Sequence, residues 1–142
     1  MIYTPLTKKA LQLCFDAHKG QVDKTGMPYV FHPFHLAEQM DDELSTVCAL
    51  LHDVVEDTDI TIEMLGQMQF PQEVLDVLRL LTHDKAVPYM DYVRKIRTNP
   101  TAKKVKIADL MHNSDLTRLD IVDEAAKRRT QKYQEALRLL RD

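Results

Sequence analysis

At 142 residues and a net charge of −3, the chain is long enough for one buried core and lacks the basic excess of a nucleic-acid binder. Hydrophobic residues at 44% and charged residues at 29% exclude a disordered chain. No apolar stretch approaches the ~20 residues that cross a bilayer, and MIYTPLTKKA lacks the basic-then-apolar layout of a signal peptide, so a cytoplasmic location without a membrane partner is expected.

Thr4 and Pro5 form a cap-plus-first-turn signal. Leu6, Ala10, Leu13, Cys14 and Ala17 then recur at helical spacing, predicting a first helix to about residue 19. The stretch GQVDKTGMPYVFHP (20–33) holds Gly20, Gly26, Pro28 and Pro33 and reads as a loop. A second helix is expected over 34–40, opened by Pro33. The span 44–55 has little polar interruption and predicts a central third helix. Thr61 caps a short fourth, Pro71 opens a fifth and Pro88 a sixth. Asn99-Pro100 repeats the first signal and starts a long helix through AKKVKIADLMHNSDLTRL. A last helix runs over 123–140. With no strand alternation, repeat or linker, the expectation is an all-α fold in one domain, a bundle of about eight helices. Cys14 and Cys48, the only cysteines, fall in apolar helical patterns and are expected as buried thiols, too far apart for a CxxC zinc site.

The apolar helix over 44–55 ends in ALLHDVVEDT, which gathers His52, Asp53, Glu56 and Asp57. If the helix is continuous, His52 stacks under Glu56 and Asp53 under Asp57. Carboxylates at a helix C-terminus oppose the dipole and repel one another, so a cation should compensate them. A His-Asp set suits Mn²⁺, Fe²⁺ or Zn²⁺. An isolated HD pair is weak evidence, since solvated acids at a helix end are common. Two further segments strengthen it. YVFHPFH places His32 at a helix entrance, with His35 following. VKIADLMHN sets Asp109 among Val105, Ile107, Ala108 and Met111, where a carboxylate is expensive to bury unless paired or metal-bound; His112 and Asn113 lie about one turn on. His32, His52, Asp53 and Asp109 form a candidate metal shell drawn from three elements.

HKGQVDKTGMPYVFHP, ALLHDVVEDT and VKIADLMHN together resemble the hydrolase domain of RelA/SpoT-type proteins, in the HD superfamily of metal-dependent phosphohydrolases. The resemblance covers roughly residues 4–140. It implies a helical HD fold, one Mn²⁺, and hydrolysis of guanosine 3′,5′-bis(diphosphate), ppGpp, to GDP and pyrophosphate. It implies His32, His52, Asp53 and Asp109 as metal ligands, Glu56 and Asp57 as the acidic pair acting on water, and Lys24, Asn113 and Tyr133 as substrate contacts. A synthetase half would need a second domain, and none is expected here. The chain departs from the family at Asp23 and Met27, where the family carries arginine and glutamate, and at Leu110, where it carries another arginine. An anion at 23, beside an anionic ligand, implies a weaker hold on the base.

On this reading Glu56 orients or deprotonates water, Asp57 assists, and Lys24, with Lys106 or Arg128, offsets phosphate charge. Lys106 also reads as a solvated residue, and the run KRRTQK (127–132) as a solvated helix face. Two rivals are weighed: the same metal site acting on a 5′-nucleotide or NADPH, and a nucleotide sensor without catalysis. The oligomeric state is left open by the sequence.

Overall fold

Most helix starts are fixed by a side chain that takes up a backbone N–H left free in the first turn. Thr4 accepts from Thr7 N and opens α1 (Pro5–Ala17); Asp42 accepts from Ser45 N and opens α3 (Glu43–Leu51). The computed structural model describes residues 1–142. It places α2 at Phe31–Glu38, α4 at Val54–Asp57, α5 at Ile62–Gln67 and α6 at Gln72–Leu81. After these come α7 (Tyr89–Ile96), α8 (Pro100–Asn113), a 3-10 turn at Leu116–Arg118 and α9 (Glu124–Arg141). Thr61 and Asn99 cap α5 and α8, and Pro71 and Pro88 precede α6 and α7, as the sequence predicts, and Asp123 caps α9. The only strand-like feature is an isolated bridge between Val22 and Pro28. No helix is long and apolar enough to cross a membrane.

α3 is the central element. It is buried on every face from Ser45 to Leu51 and packs against α1, α2, α6 and α8. A helix apolar all round belongs inside a core. Leu50 and Leu51 are fully enclosed in a single cluster of 28 buried residues. Truncating either to alanine should cost about 2–5 kcal/mol. These two leucines directly precede His52, so a helix segment buried on every face carries the HD pair. Cys14 and Cys48 are free and buried. Burial, reinforced by the charge of Asp53, pushes the Cys14 thiol up to about 12, which leaves it inert.

Three expected boundaries move. α2 begins at Phe31 instead of 34, with Pro33 inside the first turn, where a missing N–H leaves nothing unsatisfied. His32 is therefore helical. The helix expected over 44–55 breaks at His52–Asp53, and Val54–Asp57 forms a separate turn. The long helix from Asn99 stops at Asn113. Asp115 takes Thr117 N at 3.0 Å, and its extended backbone turns the chain away. A short side chain that competes for backbone donors ends a helix that apolar spacing alone would continue. Nine α-helices result, where about eight are expected, because the third is divided.

Candidate metal centre and the cavity beside it

α2, the end of α3 and α8 each deliver a part of one cluster. One ligand atom from each of His32, His52, Asp53 and Asp109 falls within 4.8 Å of every other. His32 Nε2 is 2.9 Å from Asp109 Oδ1 and 3.8 Å from Asp53 Oδ2. His52 Nε2 is 2.9 Å from Asp53 Oδ2 and 3.6 Å from Asp109 Oδ1. Ligands at neighbouring positions around an ion with bonds of about 2.1 Å sit roughly 3 Å apart, so this spacing suits a shared cation.

His52 supplies the test of fit. Its Nδ1 donates to Ala49 O at 2.7 Å, which puts the ring proton there and a lone pair on Nε2. That Nε2 is buried and has no hydrogen-bond partner, although two carboxylate oxygens lie close by. A lone pair facing carboxylates makes physical sense around a cation. The two-imidazole, two-carboxylate set therefore fits a divalent metal ion.

The surrounding charges lead to the same conclusion. Burial opposes ionisation of Asp109, but Lys106, then His32 and His52, hold its carboxyl well below the usual range. Lys106 Nζ is 2.9 Å from Asp109 Oδ2, and Asn113 Nδ2 donates to Oδ1 at 3.0 Å. Lys106 is not the solvated residue the sequence suggested. It is 14% exposed and lies 5.4 Å from the ring centre of Tyr92, held by the carboxylate and the aromatic face together. Burial also works against a charged His52, yet Asp53 and Asp109 raise its pKa well above the usual imidazole value, so a proton and a metal cation compete for the Nε2 lone pair. The protein draws positive charge into this spot. Tyr29, which no sequence pattern singled out, donates its hydroxyl to Asp53 Oδ2.

Glu56 and Asp57 stand outside the four-residue cluster, on the separate turn α4. The helix break at His52–Asp53 interrupts the expected stack of His52 under Glu56, whereas Asp57 still sits one turn above Asp53, its N–H donating to Asp53 O at 2.9 Å. Glu56 Oε1 accepts from His83 N. The backbone of Asp57 is fixed by Gln21, whose amide donates to Asp57 O at 3.0 Å and accepts from His18 Nδ1 at 2.8 Å. Desolvation first, with the charge of Asp53 adding to it, raises both carboxyls above the ordinary range.

A cavity of about 300 Å³ adjoins the cluster through Tyr29 and His32. Lys24, Asn113 and Tyr133, the three expected substrate contacts, all line it. Arg118 and Arg129 line it too. Arg128, the cation suggested from KRRTQK, does not line it; its neighbour does, because Ala126, Arg129, Thr130 and Tyr133 share one face of α9. Helical register could have found Arg129. Arg118 had no local signal.

Asp23 lines the same cavity and organises its loop. Its Oδ1 accepts from Thr25 N at 2.8 Å, Thr25 Oγ1 at 2.7 Å and Met27 N at 3.1 Å. Gly26 closes the turn at φ +84, a backbone region that side chains rarely adopt. Arg118 approaches Asp23 Oδ2 at 3.7 Å and donates to His112 O at 2.9 Å. The anion at 23 is thus met by a cation from a distant segment.

No family model matches the chain. It is 34% identical over 120 residues to the guanosine-3′,5′-bis(diphosphate) 3′-pyrophosphohydrolase MESH1 of Mus musculus, which takes in 73% of this chain and 66% of that protein. It is 33% identical over 129 residues to MESH1 of Danio rerio, taking in 81% of this chain and 71% of that one. A solved structure, from work on a metazoan orthologue of SpoT that hydrolyses ppGpp and plays a role in starvation responses, matches with a TM-score of 0.77. Identity to it is 28%, covering 99% of this chain and 88% of that one. By sequence and by fold, the chain belongs to the family of RelA/SpoT-type HD hydrolases.

Proposed function

We propose that residues 1–142 act as one HD hydrolase domain that cleaves ppGpp to GDP and pyrophosphate, with Mn²⁺ held by His32, His52, Asp53 and Asp109. The observation that carries this reading is the shared wall. His32 belongs both to the metal cluster and to the cavity lined by Lys24, Asn113, Tyr133, Arg118 and Arg129. A nucleotide seated among those cations would bring a phosphoryl group to the cluster. The names of the relatives support ppGpp as that nucleotide.

When bound, the ion supplies Lewis-acid polarisation of a phosphoryl oxygen and makes a neighbouring water more acidic. The protein does the rest. Glu56 is the base: a carboxylate with a raised pKa accepts a water proton more readily than an ordinary one, and the His83 N–H fixes its direction. Asp57 assists from the same turn. Lys24, Arg118 and Arg129 neutralise phosphate charge, and Asn113 and Tyr133 orient the nucleotide. Free, buried thiols fit a reducing compartment, so we place the reaction in the cytoplasm.

The test is incubation of the purified protein with Mn²⁺ and a panel of ppGpp, 5′-nucleotides and NADPH, with GDP and pyrophosphate measured. Pyrophosphate release from ppGpp that requires His52 and Asp53 is expected. A ppGpp rate no higher than that of Asp53→Ala, with turnover of another panel member, would replace the substrate. Tight ppGpp binding with no product would replace the enzyme by a sensor.

A further inference from the structure

The two imidazoles of the cluster are held differently. His52 Nδ1 meets the carbonyl of Ala49, a group that only accepts, so its tautomer is fixed. His32 Nδ1 instead lies 2.7 Å from His112 Nδ1, its one polar partner. An N–N separation that short, with ring centres 5.0 Å apart and planes 9° apart, requires the rings to meet edge to edge almost in one plane. Such an arrangement aims an N–H along a lone pair. One of the two nitrogens carries the proton and the other accepts it.

For Nε2 of His32 to ligate a cation, the ring proton must be on Nδ1. His112 Nδ1 must then be the acceptor, with its own proton on Nε2, at the edge of an open cavity that His35 and Arg118 also line. The opposite arrangement would place a proton on His32 Nε2 against Asp109 Oδ1 at 2.9 Å and block the ligand position. His112 is held from two further directions. His35 stacks on its ring at 4.1 Å between centres, and Arg118 binds its carbonyl oxygen.

We propose that His112 is a positioning residue for the metal centre: its Nδ1 accepts the Nδ1 proton of His32 and so fixes the tautomer that turns the Nε2 lone pair of His32 toward the cation. This rests on the metal reading given above, but not on the choice of nucleotide. His112→Asn keeps an acceptor oxygen near the place of Nδ1, while His112→Leu removes it at similar bulk. Mn²⁺ affinity is measured by calorimetry on the nucleotide-free protein, alongside thermal unfolding without metal. His112→Leu should weaken Mn²⁺ binding roughly 10–100-fold, and His112→Asn should stay within about threefold of the native chain. Unfolding temperatures of the two variants should agree. Equal affinity in all three proteins, or equal loss in both variants, overturns the proposal. A native chain that binds no Mn²⁺ overturns the metal reading and this proposal with it. Independently of any variant, ¹⁵N spectra of the native protein loaded with diamagnetic Zn²⁺ should place the His32 proton on Nδ1 and the His112 proton on Nε2. A His32 proton on Nε2 in the loaded protein overturns it equally.

Discussion

Lys106 and Asp109 form a largely buried ion pair one turn apart on α8, 2.9 Å from Nζ to Oδ2, while the other oxygen of Asp109 faces the metal cluster. The lysine lets a carboxylate exist inside an apolar stripe, and it leaves Oδ1, which Asn113 steadies at 3.0 Å, turned toward a second cation. Lys106→Met should leave that carboxylate short of positive charge and destabilise the metal-free protein by about 3–5 kcal/mol. A divalent ion binding only the folded chain restores stability by mass action. Denaturant unfolding with and without Mn²⁺ should therefore show a larger metal-induced gain in Lys106→Met than in the native protein. An unchanged metal-free stability would mean that Asp109 needs no partner there.

Direct loss of a ligand should act differently from loss of the base. Asp109→Asn or His52→Ala should lower both metal content and turnover. Affinity for Mn²⁺ should fall further than the roughly 10–100-fold typical of an outer hydrogen-bonding partner. Elemental analysis together with an activity assay reads both effects. A variant that keeps full metal content would remove its residue from the ligand set.

Glu56→Gln is nearly isosteric and keeps the oxygen that accepts from His83 N, so the local fold should survive. It cannot take a proton from water. Turnover should fall roughly 10²–10⁴-fold. Mn²⁺ affinity should change little, because Glu56 lies outside the cluster. A near-native rate would exclude Glu56 as the base.

The reasons some of this was legible in the sequence are local. Caps announce themselves within four residues, so Thr4, Thr61, Asn99 and Asp123 mark real helix starts. Asp109 was visible because it is polar where apolar neighbours predict burial, His52 and Asp53 because they end an apolar run, and His32 because it stands at a helix entrance. The break at His52–Asp53 was not legible, since apolar spacing runs straight through it. Tyr29 and Arg118 were hidden for another reason. The role of Arg118 depends on where the 20–30 loop meets the 3-10 turn, and that of Tyr29 on where the same loop meets the end of α3, and no sequence period encodes either meeting. Arg129 rather than Arg128 faces the cavity because helical register puts it on the side of α9 shared by Ala126 and Tyr133.

Asp23 and Arg118 set the charge at the cavity wall, and the two functions of Asp23 can be separated. Asp23→Asn keeps an oxygen able to accept from Thr25 and Met27, so the turn should persist. It removes the charge that partly neutralises Arg118, with Asp23 21% and Arg118 28% exposed. A pair this open is worth about 0–1 kcal/mol, so KM for an anionic nucleotide should fall a few-fold with kcat unchanged. Arg118→Ala should raise KM in the opposite sense. An unchanged KM in both variants would place the phosphates away from this wall.

Asp42 gives a stability prediction with a definite pH sign. Hydrogen bonds from Ser45 N and then its hydroxyl, each at 2.7 Å, hold its carboxyl below the ordinary value, with Lys104 adding to the effect. A depressed folded pKa means the contribution is complete above the unfolded value of about 3.9 and is lost as pH falls through the lower folded value. Replacing this cap by alanine should destabilise α3, the helix that ends at His52, by about 1 kcal/mol at neutral pH. Denaturant midpoints of Asp42→Ala and the native chain should differ at pH 7, and the gap should narrow as pH falls below the unfolded value of about 3.9. A gap that stays constant across that range would mean the carboxylate charge contributes nothing to the cap.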